Sequence, residues 1–180
     1  MPASIGAPAP DFQCTDSNGR TRSLAEFKGK AMVLEWTNRE CPFVRKHYDA
    51  GNMQALQEKY TGEGVVWLSV VSSAPGNQGY VTADEANRHL ESSSAAPTAV
   101  LLDADGKVGR LYGAQTTPHM FVVDAGGNLA YAGAIDDKAS TSSADIPKST
   151  NLVASALDAL KAGKPVPTPS TKAYGCSVKY

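Results

Sequence analysis

Five short runs of near-continuous apolar residues punctuate the chain, at 31–36, 65–71, 98–103, 120–124 and 129–133. The first is broken only by Glu35 and the second only by Ser69. Runs without polar alternation predict strands buried on both faces, as in a sheet covered by helices. Between them the spacing of apolar residues changes. Val44, Tyr48, Met53, Leu56 and Tyr60 recur near the helical period and predict a helix over 44–60, with an irregularity at Gly51. Thr82 precedes Glu85 by three, the spacing of a capping box, and starts a second helix. A third is capped by Thr150 or Asn151, carries Leu152, Val153, Ala156, Leu157 and Leu160 on one side, and stops at Gly163 and Pro165.

Turn chemistry fills in the rest. Asn18-Gly19 predicts a hairpin over 12–24, and Gly126-Gly127-Asn128 joins the last two strands as another. Leu24, Phe27 and Gly29 read as a short helical turn. Asp103-Ala104-Asp105-Gly106-Lys107 resembles part of a calcium loop, lacks its downstream Glu, and reads as a turn between strands. The order β, α, β, α, β, β-hairpin, α predicts an α/β fold with a mixed sheet flanked by helices, parallel crossovers first and an antiparallel edge last. The Pro-, Thr- and Ser-rich stretch 164–180 is either mobile or draped over the domain.

The chain is 180 residues long, enough for one domain with its own core. Residues 1–163 form that domain in this reading, and 164–180 are its tail. Seventeen Lys and Arg nearly cancel eighteen Asp and Glu, so no basic face points to nucleic acid. The run 65–71 is far too short to span a bilayer. Three cysteines are too few for a disulfide scaffold. The first six residues have neither the basic nor the apolar region of a secretory leader, which fits a cytosolic chain or a processed form with a new initiator.

Cys41 lies just after the first long strand and at the start of the first helix. A thiol there meets free N–H groups and the helix dipole, which favour thiolate. Pro42 suits the first helical position. The competing reading is a small apolar residue packed under the helix. Thr117-Pro118 directly precedes a strand, where a proline removes a ladder donor. A cis bond presenting a backbone edge is one explanation and a trans proline in a turn the other. Glu35 is a carboxyl inside an apolar strand. Burial raises its pKa, so it either exchanges protons near neutral pH or lies at a sheet edge paired with Lys30 or Arg39.

These features together resemble the thioredoxin-like superfamily, in its peroxiredoxin-like, alkyl hydroperoxide reductase–thiol-specific antioxidant (redoxin) branch. The resemblance runs through Ala9-Pro10-Asp11-Phe12, the segment Glu40-Cys41-Pro42-Phe43-Val44-Arg45-Lys46-His47-Tyr48, Thr117-Pro118 and the ending Tyr174-Gly175-Cys176-Ser177-Val178-Lys179-Tyr180. It implies a thioredoxin-like fold with an N-terminal hairpin and an extended C-terminal tail. It implies that Cys41 is the nucleophile, with Val44 where a second cysteine would stand. Glu35 matches a buried proton-relaying acid. Pro118 matches a cis-proline, and Thr117 a residue whose backbone pairs with a substrate; with Pro42 and Thr37 they shape the substrate groove.

The chain departs from peroxiredoxins. Thr37 is four rather than three before Cys41, Val33 replaces a proline, and Pro118 stands where a peroxide-polarising arginine often falls. Arg110 or Arg45 is the candidate substitute.

The implied activity is thiol–disulfide exchange, with hydroperoxide reduction and a non-catalytic binding or metal-carrier module as rivals. Substrates are disulfides or hydroperoxides, the reductant is thioredoxin- or glutaredoxin-like, and no cofactor is called for. The resemblance implies a periplasmic or otherwise exported bacterial protein, with the cytoplasm as alternative. A lone nucleophilic cysteine stalls unless a second thiol resolves it. Cys176, on a tail made flexible by Gly175, resolves Cys41 within the chain, pairs between chains, or has no redox role. Cys14 shares a strand face with Phe12 and reads as core. His47, His89 and His119 with Cys41 lack the paired cysteines of a metal-carrying relative, so no metal is expected.

Overall fold

The computed structural model describes residues 3–180; Met1 and Pro2, part of the leader reading, lie outside the described residues. The predicted first hairpin is present as β1 (Gln13–Thr15) and β2 (Thr21–Ser23), paired antiparallel across the Asn18-Gly19 turn. The five apolar runs become one sheet: β3 (Met32–Trp36), β4 (Val66–Val71), β5 (Ala99–Leu102), β7 (His119–Val123) and β8 (Leu129–Gly133), ordered β5-β4-β3-β7-β8. Strand β3 is central. It runs parallel to β4, which runs parallel to β5, and antiparallel to β7. Every residue of β3, β4 and β7 is buried, which accounts for the unbroken apolar runs.

Strand alternation divides the core into two layers. Leu34, Trp36, Leu68 and Phe121 face one side, beneath the first hairpin and the short helix α4 (Lys107–Tyr112). Val33, Trp67, Met120 and Val122 face the other, beneath α2 (Asn52–Gly62) and α5 (Leu152–Lys161). Helix α3 (Ala83–Ser93) covers Val71 and Val100 near the β5 edge with Ala86 and Leu90. Its capping box is formed as predicted. Asn151, not Thr150, caps α5, accepting from the Ala154 N–H at 2.9 Å. Cys14 is buried in the first layer, as read.

Three elements differ from expectation. The helix expected over 44–60 is two: α1 (Pro42–Asp49) stops at its C-cap Ala50, and Gly51, with a φ of +73°, caps the start of α2. The turn at 103–107 leads into α4 because the Asp103 carboxylate accepts from the Val108 and Gly109 N–H groups, at 3.0 and 2.9 Å. A two-stranded ribbon, β6 (Thr116–Thr117) with β9 (Cys176–Ser177), lies outside the main sheet.

The tail is draped over the domain. It leaves α5, hydrogen-bonds along the outer edge of β8 at Ala132, and reaches the far end of the sheet through β9. That cover protects an edge strand that would otherwise expose unpaired backbone groups.

Candidate functional site

Cys41 occupies the N-cap of α1, with Pro42 at the first helical position. Its own carbonyl accepts from the N–H groups of Val44 and Arg45. Its sulfur points away from solvent and is 0% exposed. That sulfur lies 3.2 Å from the Thr117 carbonyl oxygen, to which its thiol donates, and 2.6 Å from the sulfur of Cys176. Both cysteines are free thiols here.

Burial raises the Cys41 pKa, but the Cys176 thiol, the Thr117 side chain and the backbone N–H groups of Val44 and Cys176 outweigh it and hold the thiol below its ordinary value. Cys176 shifts the other way. Burial first, then the neighbouring Cys41, push it up to about 11. The pair is asymmetric: an ionisable inner sulfur faces a protonated outer one.

Cys176 reaches Cys41 because β9 pairs antiparallel with β6, placing Thr117 opposite Cys176 and Thr116 opposite Ser177. The Thr117–Pro118 bond is cis. Gly175 (φ +148°) passes so close to the strand that a Cβ there would collide with the Thr117 carbonyl. The tail's own backbone therefore fills the edge on which the resemblance places a substrate chain.

Two tyrosines pin the tail on either side of Cys176, so its expected flexibility is corrected. The Tyr174 hydroxyl donates to Asp136 Oδ1 at 2.7 Å and meets Lys46 Nζ at 3.2 Å and His47 Nε2 at 3.1 Å. Its ring packs edge-on against Phe43. Lys46 and His47 are buried on α1 beside Asp136, and Lys46 also donates to the Lys138 carbonyl at 2.8 Å. Burial, helped by the Lys46 charge, pushes His47 down to about 4 against the pull of Asp136. At the other side the Tyr180 hydroxyl donates to the Ala114 carbonyl at 2.6 Å, and its ring lies beneath the Arg110 guanidinium. Gly106 and Gly109 leave the room this ring occupies. The loop 72–80 holds the tail through the Ala74 N–H and the Cys41 segment through Gly79 and Glu40.

Glu35 is buried at the middle of the central strand, so the sheet-edge pairing with Lys30 or Arg39 is wrong. Burial raises its pKa, partly offset by four donors: Tyr48, Trp67, Ser69 and Gln57. Tyr48 belongs to α1, so the acid is tied to the helix that carries Cys41 rather than to its sulfur. Thr37 donates its N–H to Val70 and sits at the start of the Cys41 loop, and Pro42 is exposed beside the thiol.

The histidines do not gather around Cys41. His47 lies in the Tyr174 cluster. His119 stacks on Phe121 and accepts from the Gln115 N–H at 3.1 Å, and His89 is on α3. Among the described residues no group of three His, Cys, Asp or Glu is placed to hold a metal ion. Arg110 stacks on Tyr180 and donates to the Asp105 carbonyl, and Arg45 gives its Nε–H to the Arg39 carbonyl; among the described residues neither guanidinium hydrogen-bonds to the Cys41 sulfur.

A mixed sheet with a thiol at a helix N-terminus facing a cis-proline turn defines a thioredoxin-like protein. Within that class the chain belongs to the AhpC/TSA family, whose model matches residues 5–132. It is 26% identical over 125 residues to the thiol-disulfide oxidoreductase ResA of Bacillus thuringiensis. That match covers 69% of this chain and 66% of the relative, just under two thirds of its length. A hypothetical protein from Sinorhizobium meliloti has a similar structure over all of this chain and 96% of its own, with a TM-score of 0.82 and 26% identity. A candidate thiol:disulfide interchange protein DsbE from Chlorobium tepidum matches 72% of this chain and 84% of its own, with a TM-score of 0.59 and 25% identity.

Proposed function

We propose that the protein is a thiol–disulfide oxidoreductase whose redox couple is Cys41 and Cys176. The observation that carries this reading is the 2.6 Å approach of the two sulfurs beneath the Thr117–Pro118 turn. The Cys41 thiolate attacks one sulfur of a substrate disulfide. The substrate S–S bond breaks, one substrate thiolate leaves, and a mixed disulfide forms on Cys41. Deprotonated Cys176 then attacks the Cys41 sulfur and the second substrate thiol leaves. Two electrons pass to the substrate and the protein dithiol becomes a disulfide. A thioredoxin- or glutaredoxin-like reductant returns the electrons, and the cycle runs backwards when the partner is more oxidising.

Thr117, Pro118, Pro42 and Thr37 form the groove for the partner, which the tail vacates when Cys41 reacts. Glu35 is the acid assigned to proton exchange, with Tyr48 tying its carboxyl to the helix that starts at Cys41. The names of the ResA and DsbE relatives support this chemistry. Residues 164–180 act as part of the same domain, since they carry half of the couple. Exported placement belongs to the same reading. Among the described residues no helix is long and apolar enough to cross a membrane.

Turnover of a model disulfide in a glutathione redox buffer tests the reading. Wild type turns over, Cys41→Ser does not, and Cys176→Ser accumulates a mixed disulfide on Cys41. Equal turnover by wild type and Cys41→Ser overturns it. Hydroperoxide consumption at a rate exceeding disulfide turnover would instead favour the peroxidase reading, with Cys41 sulfenic acid as first product.

A further inference from the structure

A second cavity, separate from the sulfur pair, opens between α1 and α3 over β4 and β5. It has a volume of about 420 Å³, within the roughly 300–1,000 Å³ usual for small-molecule sites. Its floor is apolar, made by Val71, Val81, Leu90 and Val100. The tail, which covers the β8 edge and the thiol end, does not line it. At its inner end are Ser69 and Tyr48, whose hydroxyls donate to Glu35.

The mouth is cationic. Arg39 and Arg45 line it, together with His89 of α3. Arg45 is held in place by its Nε–H donated to the Arg39 carbonyl at 3.1 Å, which leaves its two terminal nitrogens for another acceptor. The ion pairs of the chain involve Arg22, Lys46, His47 and Lys161; among the described residues Arg39 and Arg45 take part in none. Asp49 is the single carboxylate in the lining and makes no ion pair with Arg45 within 4.0 Å, one helical turn away. Burial, then the nearby Arg39 charge, lowers the His89 pKa, so the histidine adds a neutral donor rather than a third charge.

We infer that this cavity binds a small amphipathic carboxylate, its apolar body against the α3 floor and its carboxylate on Arg39 and Arg45. Two unpaired guanidiniums over an apolar floor recognise both halves of such a ligand: a charge-assisted fork for the head and area removed from water for the body. Thr37, Arg39 and Val44 are shared between this cavity and the loop and helix that hold Cys41. Occupancy therefore loads the same segment that presents the thiol.

Titration calorimetry with decanoate below its micelle concentration tests the assignment, with decanol as the uncharged comparator. One decanoate binds per chain, and decanol binds about tenfold more weakly. The Arg39→Gln/Arg45→Gln variant, altered at two exposed positions, loses about tenfold in decanoate affinity while decanol binding is unchanged. Ala86→Trp, which fills the floor, abolishes both. No saturable decanoate binding overturns the inference, as does equal binding of acid and alcohol or indifference to the arginine changes. Ala86→Trp is read only if it keeps the wild-type circular dichroism spectrum, and the arginine variant decides the matter if it does not.

Discussion

Removing the Tyr174 hydroxyl unlatches the tail and exposes Cys41, and the size of the effect follows from the contacts. Tyr174→Phe keeps the ring and its edge-on packing against Phe43 but deletes three polar contacts, two of them to the charged partners Asp136 and Lys46. Each neutral hydrogen bond is worth about 1 kcal/mol net and each charged one about 1.5–3 kcal/mol. The three contacts share one hydroxyl and do not add in full, so the total is taken as about 3 kcal/mol, the upper value of a single charged bond. The tail-open population then rises roughly 100-fold, since about 1.4 kcal/mol is a factor of ten.

Cys41 is 0% exposed with the tail docked, so its alkylation by iodoacetamide reports that population. The assay uses a Cys176→Ser background. Cys14 stays silent there, because burial, with Asp103 nearby, holds its thiol at about 12. Rates are normalised to the Cys41 thiolate fraction. A rise of about two orders of magnitude is expected. A change of less than about threefold would refute the reasoning that this cluster holds the strap closed.

Further outcomes follow from neighbouring contacts. Gly175→Ala places a Cβ against the Thr117 carbonyl at a φ that favours glycine, so β9 detaches. The Cys41–Cys176 equilibrium against glutathione then shifts toward the dithiol by at least about tenfold, and an unchanged equilibrium contradicts the register. His119, pushed down to about 4 by burial, is neutral in the fold and takes a proton more readily when unfolded. Its contribution is present in full above about 6.5 and is lost as pH falls toward 4. Urea unfolding of wild type therefore loses up to about 3 kcal/mol more than His119→Gln across that window, and parallel pH profiles contradict it. Glu35→Gln shifts the midpoint of the Cys41 thiolate titration if the acid exchanges protons behind the thiol; an unmoved midpoint removes that role.

Much of the fold is legible along the chain because burial on both faces writes itself as unbroken apolar runs. The central strands, the Thr82–Glu85 capping box and both hairpin turns are local signals of this kind. Helix α4 escapes because its start is fixed by a side chain: Asp103 supplies acceptors to the Val108 and Gly109 N–H groups, while Gly109 itself argues against a helix. Strands β6 and β9 are two residues each, too short for a period, and their pairing joins positions far apart in the chain.

At the site, Cys41 and Pro118 announce themselves by position. The docking of the tail does not. Gly175 reads as a hinge in the sequence, yet in the structure it is what lets the strand pass under the Thr117 carbonyl. Lys46 and His47 look like surface charge near a thiol, and only the tertiary structure turns them inward onto Tyr174 and Asp136. Glu35 is visible as an acid in an apolar strand, but its place at the centre of the sheet depends on strand order, which no local pattern encodes.

The redox couple itself is tested most directly by non-reducing peptide mapping of the protein equilibrated with oxidised glutathione. The account predicts a monomer that has lost two hydrogens and yields a peptide pair linked through Cys41 and Cys176. A monomer in which Cys41 carries glutathione while Cys176 remains a free thiol would contradict it.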